Sequence, residues 1–296
     1  MPDIQLRFHN DMLVLSAPVD AALAARGFTE ERERELLLIT EPESIHEPLR
    51  LDMMVGAQCL VLPTEGITRA RLAHVRAEDN AAQIAEAALA LAAQFKPQHV
   101  FAEIGPTGLP VDPSSTTTLK ANQAQYTDAA AAFGEGGIDA FFLNGMASID
   151  DLRCGLEGVH SVSELPVLVS VNVDAEGKIL GRNEGLDHAL FIAEEYGAAA
   201  VGIQTDAAPA QAAALVERIA QRTALPVLVQ LQVKEVCARD PHDANNPYWH
   251  ADFMMQAADL LRRAGAQFLR ATGAATATYT GALVAASSGL PVLGRS

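Results

Sequence analysis

The residues best suited to metal binding or nucleophilic chemistry form no standard site along the chain. Cys59, Cys154 and Cys237 lie far apart, with no CxxC pair among them. His242, Asp243 and His250 share one polar stretch with Tyr248 and Trp249. Two imidazoles and a carboxylate are metal-ligand types, but this spacing matches no known motif, and a solvated loop is the simpler reading. Ser170 has no His or Asp at the spacing of a hydrolase triad. Neither GxGxxG nor GxxxxGK(S/T) occurs, so no phosphate-cradling loop is encoded. The chemistry must therefore come from residues that the fold brings together.

A repeated unit shows how. Gly56–Pro63, Gly137–Asn144, Gly197–Gln204 and Gly265–Thr272 each open on Gly, then Ala or Ile, then a short apolar run. Lys96–Glu103, Leu165–Asn172 and Leu225–Gln232 open with Pro second, and Leu13–Ser16 adds one more short strand. Apolar runs this short, rich in Val, Leu and Ile, predict strands buried on both faces. Between them, Ala81–Phe95, Ala121–Phe133, Leu186–Tyr196, Pro209–Arg222 and Phe253–Ala264 carry helical spacing. Each ends near a Gly or Pro. Eight strands alternating with eight helices predict an α/β fold, a single (βα)8 TIM barrel over residues 1–296, with a doubly wound sheet as the alternative.

In such a barrel the functional side chains sit where strands end. The eighth place of each unit reads Pro63, Glu103, Asn144, Asn172, Gln204, Gln232 and Thr272, with Ser16 as the counterpart on the first strand. Six of these eight are uncharged hydrogen-bonding residues, and Glu103 alone is ionisable. Two places earlier, where period-two alternation repeats the facing, stand Val61, Phe101, Phe142, Ser170, Gly202, Gln230 and Arg270. A guanidinium inside a barrel must be paired or must bind an anion. Two readings of Arg270 stand: an ion pair with Glu103 without a chemical role, or a clamp for a substrate carboxylate or phosphate.

Composition narrows the partners. The net charge of −16 excludes nucleic acid, whose phosphates need Lys and Arg, and disfavours an anionic membrane surface. No apolar run is long enough to span a membrane. Residues Met1 to Asn10 lack the pattern of a signal peptide, and the sparse cysteines fit a reducing compartment, so the protein is expected to be cytoplasmic. With 49% hydrophobic but only 5% aromatic residues, its core must be built from Ala, Val, Leu and Ile.

Ile104-Gly105-Pro106-Thr107-Gly108, closing the third strand, resembles a signature of the homocysteine S-methyltransferase family, which includes the homocysteine barrel of cobalamin-dependent methionine synthase and the betaine-dependent enzyme. Leu62 to Leu72 is similar to the family's TNTFGANRxxL, with Thr64, Gly66, Arg69 and Leu72 in matching places. Gly137-Ile138-Asp139 with Phe141-Phe142, Val201-Gly202-Ile203, and the final unit Gly265–Leu283 extend the similarity over roughly residues 13–286.

The resemblance implies a zinc held by one cysteine after the sixth strand and two after the eighth. Here those places carry Thr205, Thr272 and Gly273, so zinc is expected to be absent. The family's Glu-Thr after the fourth strand is Leu143-Asn144, and its Asp-Gly-Ala-Met-Gly on the first strand reads Ser16-Ala17-Pro18-Val19-Asp20.

The expected protein is a divergent methyltransferase acting on a small polar metabolite. Glu103 and Arg270 are its candidate catalytic residues, and Ser16, Thr64, Asn144, Asn172, Gln204, Thr205, Gln232 and Thr272 its substrate contacts. No cofactor is expected on the chain, the methyl donor being a corrinoid or folate brought by a partner such as a corrinoid protein. A homo-oligomer is compatible with the sequence. Other chemistry on a small metabolite, or a non-catalytic binding or partner protein, stands as the alternative.

Overall fold

A computed structural model describes residues 3–30, 33–134, 136–235 and 246–293. Eight parallel strands form one sheet: β1 (Leu13–Val14), β2 (Cys59–Leu62), β3 (His99–Ile104), β4 (Ala140–Met146), β5 (Val167–Asn172), β6 (Ala200–Thr205), β7 (Val227–Val233) and β8 (Ala266–Gly273). From β2 to β8 each strand pairs with the next, and β8 returns to pair with β1. The sheet closes between β1 and β2 through a parallel bridge, Leu15 to Cys59, where Ser16 N donates to Cys59 O at 2.9 Å. The result is a (βα)8 TIM barrel, as the repeat predicts.

Period-two alternation sorts the strand residues between two cores. Cys59, Val61, Phe101, Ala140, Phe142, Leu168, Ala200, Leu228 and Phe268 pack inside the barrel with Leu13 and Leu15. Ile4 and Phe8 join them from the N-terminal segment, Phe8 meeting Phe268 edge-on at 5.9 Å. Outward residues such as Leu60, Leu62, Val100, Val169 and Val229 pack against the helices. The inward series on β5 to β8 continues upward as Ser170, Gly202, Gln230 and Arg270, so the interior turns from apolar to polar toward the strand C-termini.

Eleven α-helices surround the sheet among the described residues, rather than the expected eight. The stretch between β1 and β2 holds three, α1 (Asp20–Ala25), α2 (Arg34–Thr40) and α3 (Pro42–Met54). Two more, α4 (Arg69–Leu72) and α5 (Ala81–Phe95), lie between β2 and β3. One follows each later strand: α6 (Thr116–Ala131), α7 (Ile149–His160), α8 (Leu186–Glu195), α9 (Pro209–Arg222), α10 (Ala251–Ala264) and α11 (Ala277–Ser287). Their ends obey local chemistry. Ser148 caps α7 by accepting from Asp151 N, Pro209 opens α9, and Gly265 ends α10 at φ +104°. The extra helices escaped the repeat because they belong to the first two connections, not to its register. No helix among the described residues is long and apolar enough to cross a membrane.

Candidate functional site

At the upper end of the barrel interior the polar inward residues bond into one network. Arg270 from β8 and Glu103 from β3 form a two-pronged ion pair, Nη1 to Oε1 at 2.8 Å and Nη2 to Oε2 at 3.3 Å. Arg270 Nε donates to Ser16 O at 2.9 Å, and Nη1 also reaches Gln230 Oε1 at 3.2 Å. Gln230 Nε2 donates to Asn144 Oδ1 at 2.7 Å, and Asn144 Nδ2 donates back to Glu103 Oε1. Ser170 Oγ joins by donating to Asn144 Oδ1 at 2.7 Å. Arg270 is 1% exposed and its guanidinium lies 5.8 Å from the Phe142 ring centre. Buried charges persist when paired and fully hydrogen-bonded, and this ring of bonds meets that condition.

Above the network a cavity of about 910 Å³ opens at the C-terminal mouth. Glu103, Asn144, Gln204, Gln232 and Thr272 form its strand-end floor. Gln204 and Gln232 are half-buried, and their amides make no hydrogen bond within the described residues. Helices α1 and α2 and the stretch between them supply one wall, with Leu23, Phe28 and Leu37 as apolar surface. Within that wall Arg34 pairs with Asp20 at 2.6 Å and with Glu35 and Glu65 at 3.1 Å each. Glu35 in turn accepts from Gly66 N at 2.6 Å, tying α2 to the loop after β2. Arg34 Nε is buried and has no acceptor among the described residues.

Behind the first strand, Asp52 of α3 accepts from Ala17 N at 2.7 Å. Its other oxygen and the Thr280 hydroxyl are buried facing each other. Burial pushes the Asp52 carboxyl up to about 6, against the opposing pull of its hydrogen bonds and of Arg270. The Gly-Pro-Thr-Gly turn is held by two anchors. Gly105 N donates to Glu65 O at 2.8 Å, and Thr107 bonds Asn122, which donates to Asp151 at 2.8 Å.

Not every residue expected at the site reaches the cavity. Glu103, Asn144, Gln204, Gln232 and Thr272 line it. Ser16 Oγ is spent on Val61 N at 2.9 Å, and Thr64 Oγ1 donates to the Glu103 carbonyl at 2.8 Å, so both are buried bracing groups. Thr205 Oγ1 accepts from Ala207 N at 3.1 Å, and Asn172 lies beside Gly145 rather than on the cavity floor. The anion-clamp reading of Arg270 is corrected, because its fork is occupied by Glu103, Gln230 and Ser16 and it lies beneath the cavity floor. Gln230 and Ser170 belong to the network although only their inward register singled them out; Arg34, Asp20, Glu65 and Asp52 gave no signal in the repeat. His242, Asp243 and Cys237 lie outside the described residues. His250 caps α10, its Nδ1 accepting from Asp252 N at 3.3 Å.

The profile of the family described as homocysteine S-methyltransferase matches residues 13–235, about three quarters of the chain. The chain belongs to the homocysteine S-methyltransferase family. The solved structures of the homocysteine methyltransferase MmuM from Escherichia coli share its fold. The metallated form superposes with a TM-score of 0.75 at 18% identity, over 93% of this chain and 96% of the other. The oxidized form gives 0.74 at 17% over the same shares, and the apo form 0.63 at 21% over 94% and 96%. No curated protein sequence matches the chain. The profile match stops before α10 and β8, so the correspondence of the last unit rests on its sequence pattern and the shared fold.

Against this family the donor set at the expected zinc positions does not fit. Thr205 and Thr272 offer neutral hydroxyls, the latter donating to Leu231 O at 3.5 Å. Gly273 has φ +68°, and a Cβ there would lie 2.4 Å from Val233 O, closer than real Cβ contacts come. Cys59 is buried inside the barrel and Cys154 on α7, both away from the mouth. Among the described residues no three His, Cys, Asp or Glu converge in a metal-binding group.

Proposed function

We propose that this family member works without zinc, binding a small polar metabolite in the barrel-mouth cavity and taking part in methyl transfer there. The methyl group would pass to or from a donor such as a corrinoid or folate brought by a partner protein. Family membership supports the reaction class. The observation that carries the ligand site is the pair Gln204 and Gln232, whose amides line a cavity of about 910 Å³ and have no hydrogen-bond partner among the described residues. An amide presents both donor and acceptor, so the pair can orient a hydroxyl, amine or carbonyl.

Methyl transfer is a displacement in line with the leaving group, so it gains most from alignment of the reactants. The floor is suited to that role. Glu103 is clamped by Arg270 and Asn144 and supplies fixed charge, with Arg270 as its positioning residue. The replaced ligand positions favour a second reading, a binding protein that presents its metabolite without turnover.

The test is a thermal-shift screen of the purified protein against amino acids, methylated amines, folates and corrinoids, followed by methyl-transfer assays on each binder and by elemental analysis. A binder at 100 times its Kd stabilises by about 2.7 kcal/mol. The expected result is a small polar binder, protein free of zinc, and poor methylation of homocysteine. Stoichiometric binding without turnover would favour the second reading. One tightly held zinc per chain with efficient methionine formation would overturn the proposal.

A further inference from the structure

We infer that the molecule bound at the barrel mouth is a small organic ammonium ion that carries no carboxylate. The inference rests on reading the cavity as a ligand site and adds the charge of its occupant. Carboxylates converge on the space from several elements: Asp20 on α1, Glu65 after β2, Glu103 on β3, and Glu30 and Glu235 in the flanking loops. Two cations line it with them, Arg34 and Lys234.

Both cations are already engaged. Arg34 serves Asp20, Glu35 and Glu65 together, and Lys234 Nζ lies 2.6 Å from Asp206. Arg71 approaches Glu65 at 3.9 Å, and Arg270 beneath the floor is bound to Glu103. Glu30 and Glu235 have no ion-pair partner among the described residues. Among the described residues an entering carboxylate therefore meets no uncommitted cation, and in this concave space it must approach the unpaired Glu30 and Glu235 as well as the paired Asp20, Glu65 and Glu103. An ammonium group meets the opposite field. Its N–H groups can donate to the oxygens of Gln204 and Gln232, and Leu23, Phe28 and Leu37 offer an apolar wall for a short alkyl portion. A cation near the Phe28 ring gains a further contribution.

The experiment is calorimetric titration of the full chain at low ionic strength with ethanolammonium and tetramethylammonium, and with acetate, glycine and glycerol as comparators. The ammonium probes are expected to bind and the comparators not, with affinity falling as salt rises from about 0.01 M to about 0.15 M. In the Glu30→Gln/Glu235→Gln variant each lost charge should weaken ammonium binding by about two- to fivefold, the scale of an exposed ion pair. Acetate, glycine or glycerol binding in place of the ammonium probes would overturn the inference and leave the ligand site standing. Silence from all five probes sinks the inference, while the broader metabolite screen decides the site itself. Ammonium binding unchanged in the variant would put the probe elsewhere and also overturn it.

Discussion

Arg270 shows how a charge is kept inside a barrel. Its fork meets Glu103 twice, Gln230 and the Ser16 carbonyl, while Phe142 lies against its guanidinium. Removing one member leaves the other charged and unpaired at a place where both side chains are almost wholly buried. Glu103→Ala is therefore expected to cost about 3–5 kcal/mol in chemical denaturation. The double variant Glu103→Leu/Arg270→Met should recover most of that loss, because it removes both charges at once. A single-variant cost under about 1 kcal/mol would show that water reaches the pair. The pairing of these two residues was legible beforehand, since strand alternation turns both inward and a buried guanidinium needs a partner. Sequence alone left the choice between a pair and an anion clamp open, because it depends on strand separation. Arg34 and Asp52 were not legible at all. They come from helices in the first connection, where no repeated register fixes which way a side chain faces.

At the scale of elements, strand ends decide what the mouth can hold. The observed register sets Asn172 beside Gln204 and Gln232 beside Thr272 as the repeat places them, but it sets Glu103 beside Phe142 and Gln204 beside Gln230, and a strand end is not automatically a cavity wall. Ser16, Thr64 and Thr205 turned out to brace backbone amides and carbonyls, a use of hydroxyls that residue type does not distinguish from ligand binding. The end of β8 also constrains metal binding. Gly273 combines a left-handed backbone with a close approach to Val233 O, so a side chain there would clash as well as adopt a conformation that L-residues disfavour. The triple variant Thr205→Cys/Thr272→Cys/Gly273→Cys should therefore lose stability, by about 1–3 kcal/mol from backbone strain alone. It should also bind no stoichiometric zinc after dialysis against a weak chelator, as read by elemental analysis. Tight zinc binding by a well-folded triple variant would show that β8 relaxes readily and that the substitutions alone separate this chain from a thiolate site.

For the whole molecule, the closed barrel and its order of strands were written in the spacing of the repeat, whereas the distribution of charge had to wait for three dimensions. The chain carries a net charge of −16 and an expected isoelectric point near 4.8, so acidification first relieves repulsion among its carboxylates. Two buried groups then pull in opposite directions. His99, fully buried with no hydrogen bond to either ring nitrogen among the described residues and with Nδ1 3.9 Å from Asp139, has its pKa lowered by burial, so its contribution is present above its ordinary value of 6.5 and is lost as pH falls. Asp52 is raised from 3.8 to about 6, so the native state holds its proton more tightly than the unfolded chain does. Folding is then favoured progressively as pH falls from above 6 toward 3.8. The difference in stability between Asp52→Asn and the parent isolates this group, because His99 and the general charge enter both proteins alike. The amide can still accept from Ala17 N and can donate to the Thr280 hydroxyl that faces it. Asp52→Asn should therefore be the more stable protein at pH 7, by up to about 3 kcal/mol for a shift of about two units. That advantage should shrink steadily through the window and vanish near pH 4. Urea denaturation of both proteins across the range measures it, and a constant difference, or a less stable Asp52→Asn at pH 7, would mean that the Asp52 carboxyl is not held at a raised pKa in the folded barrel.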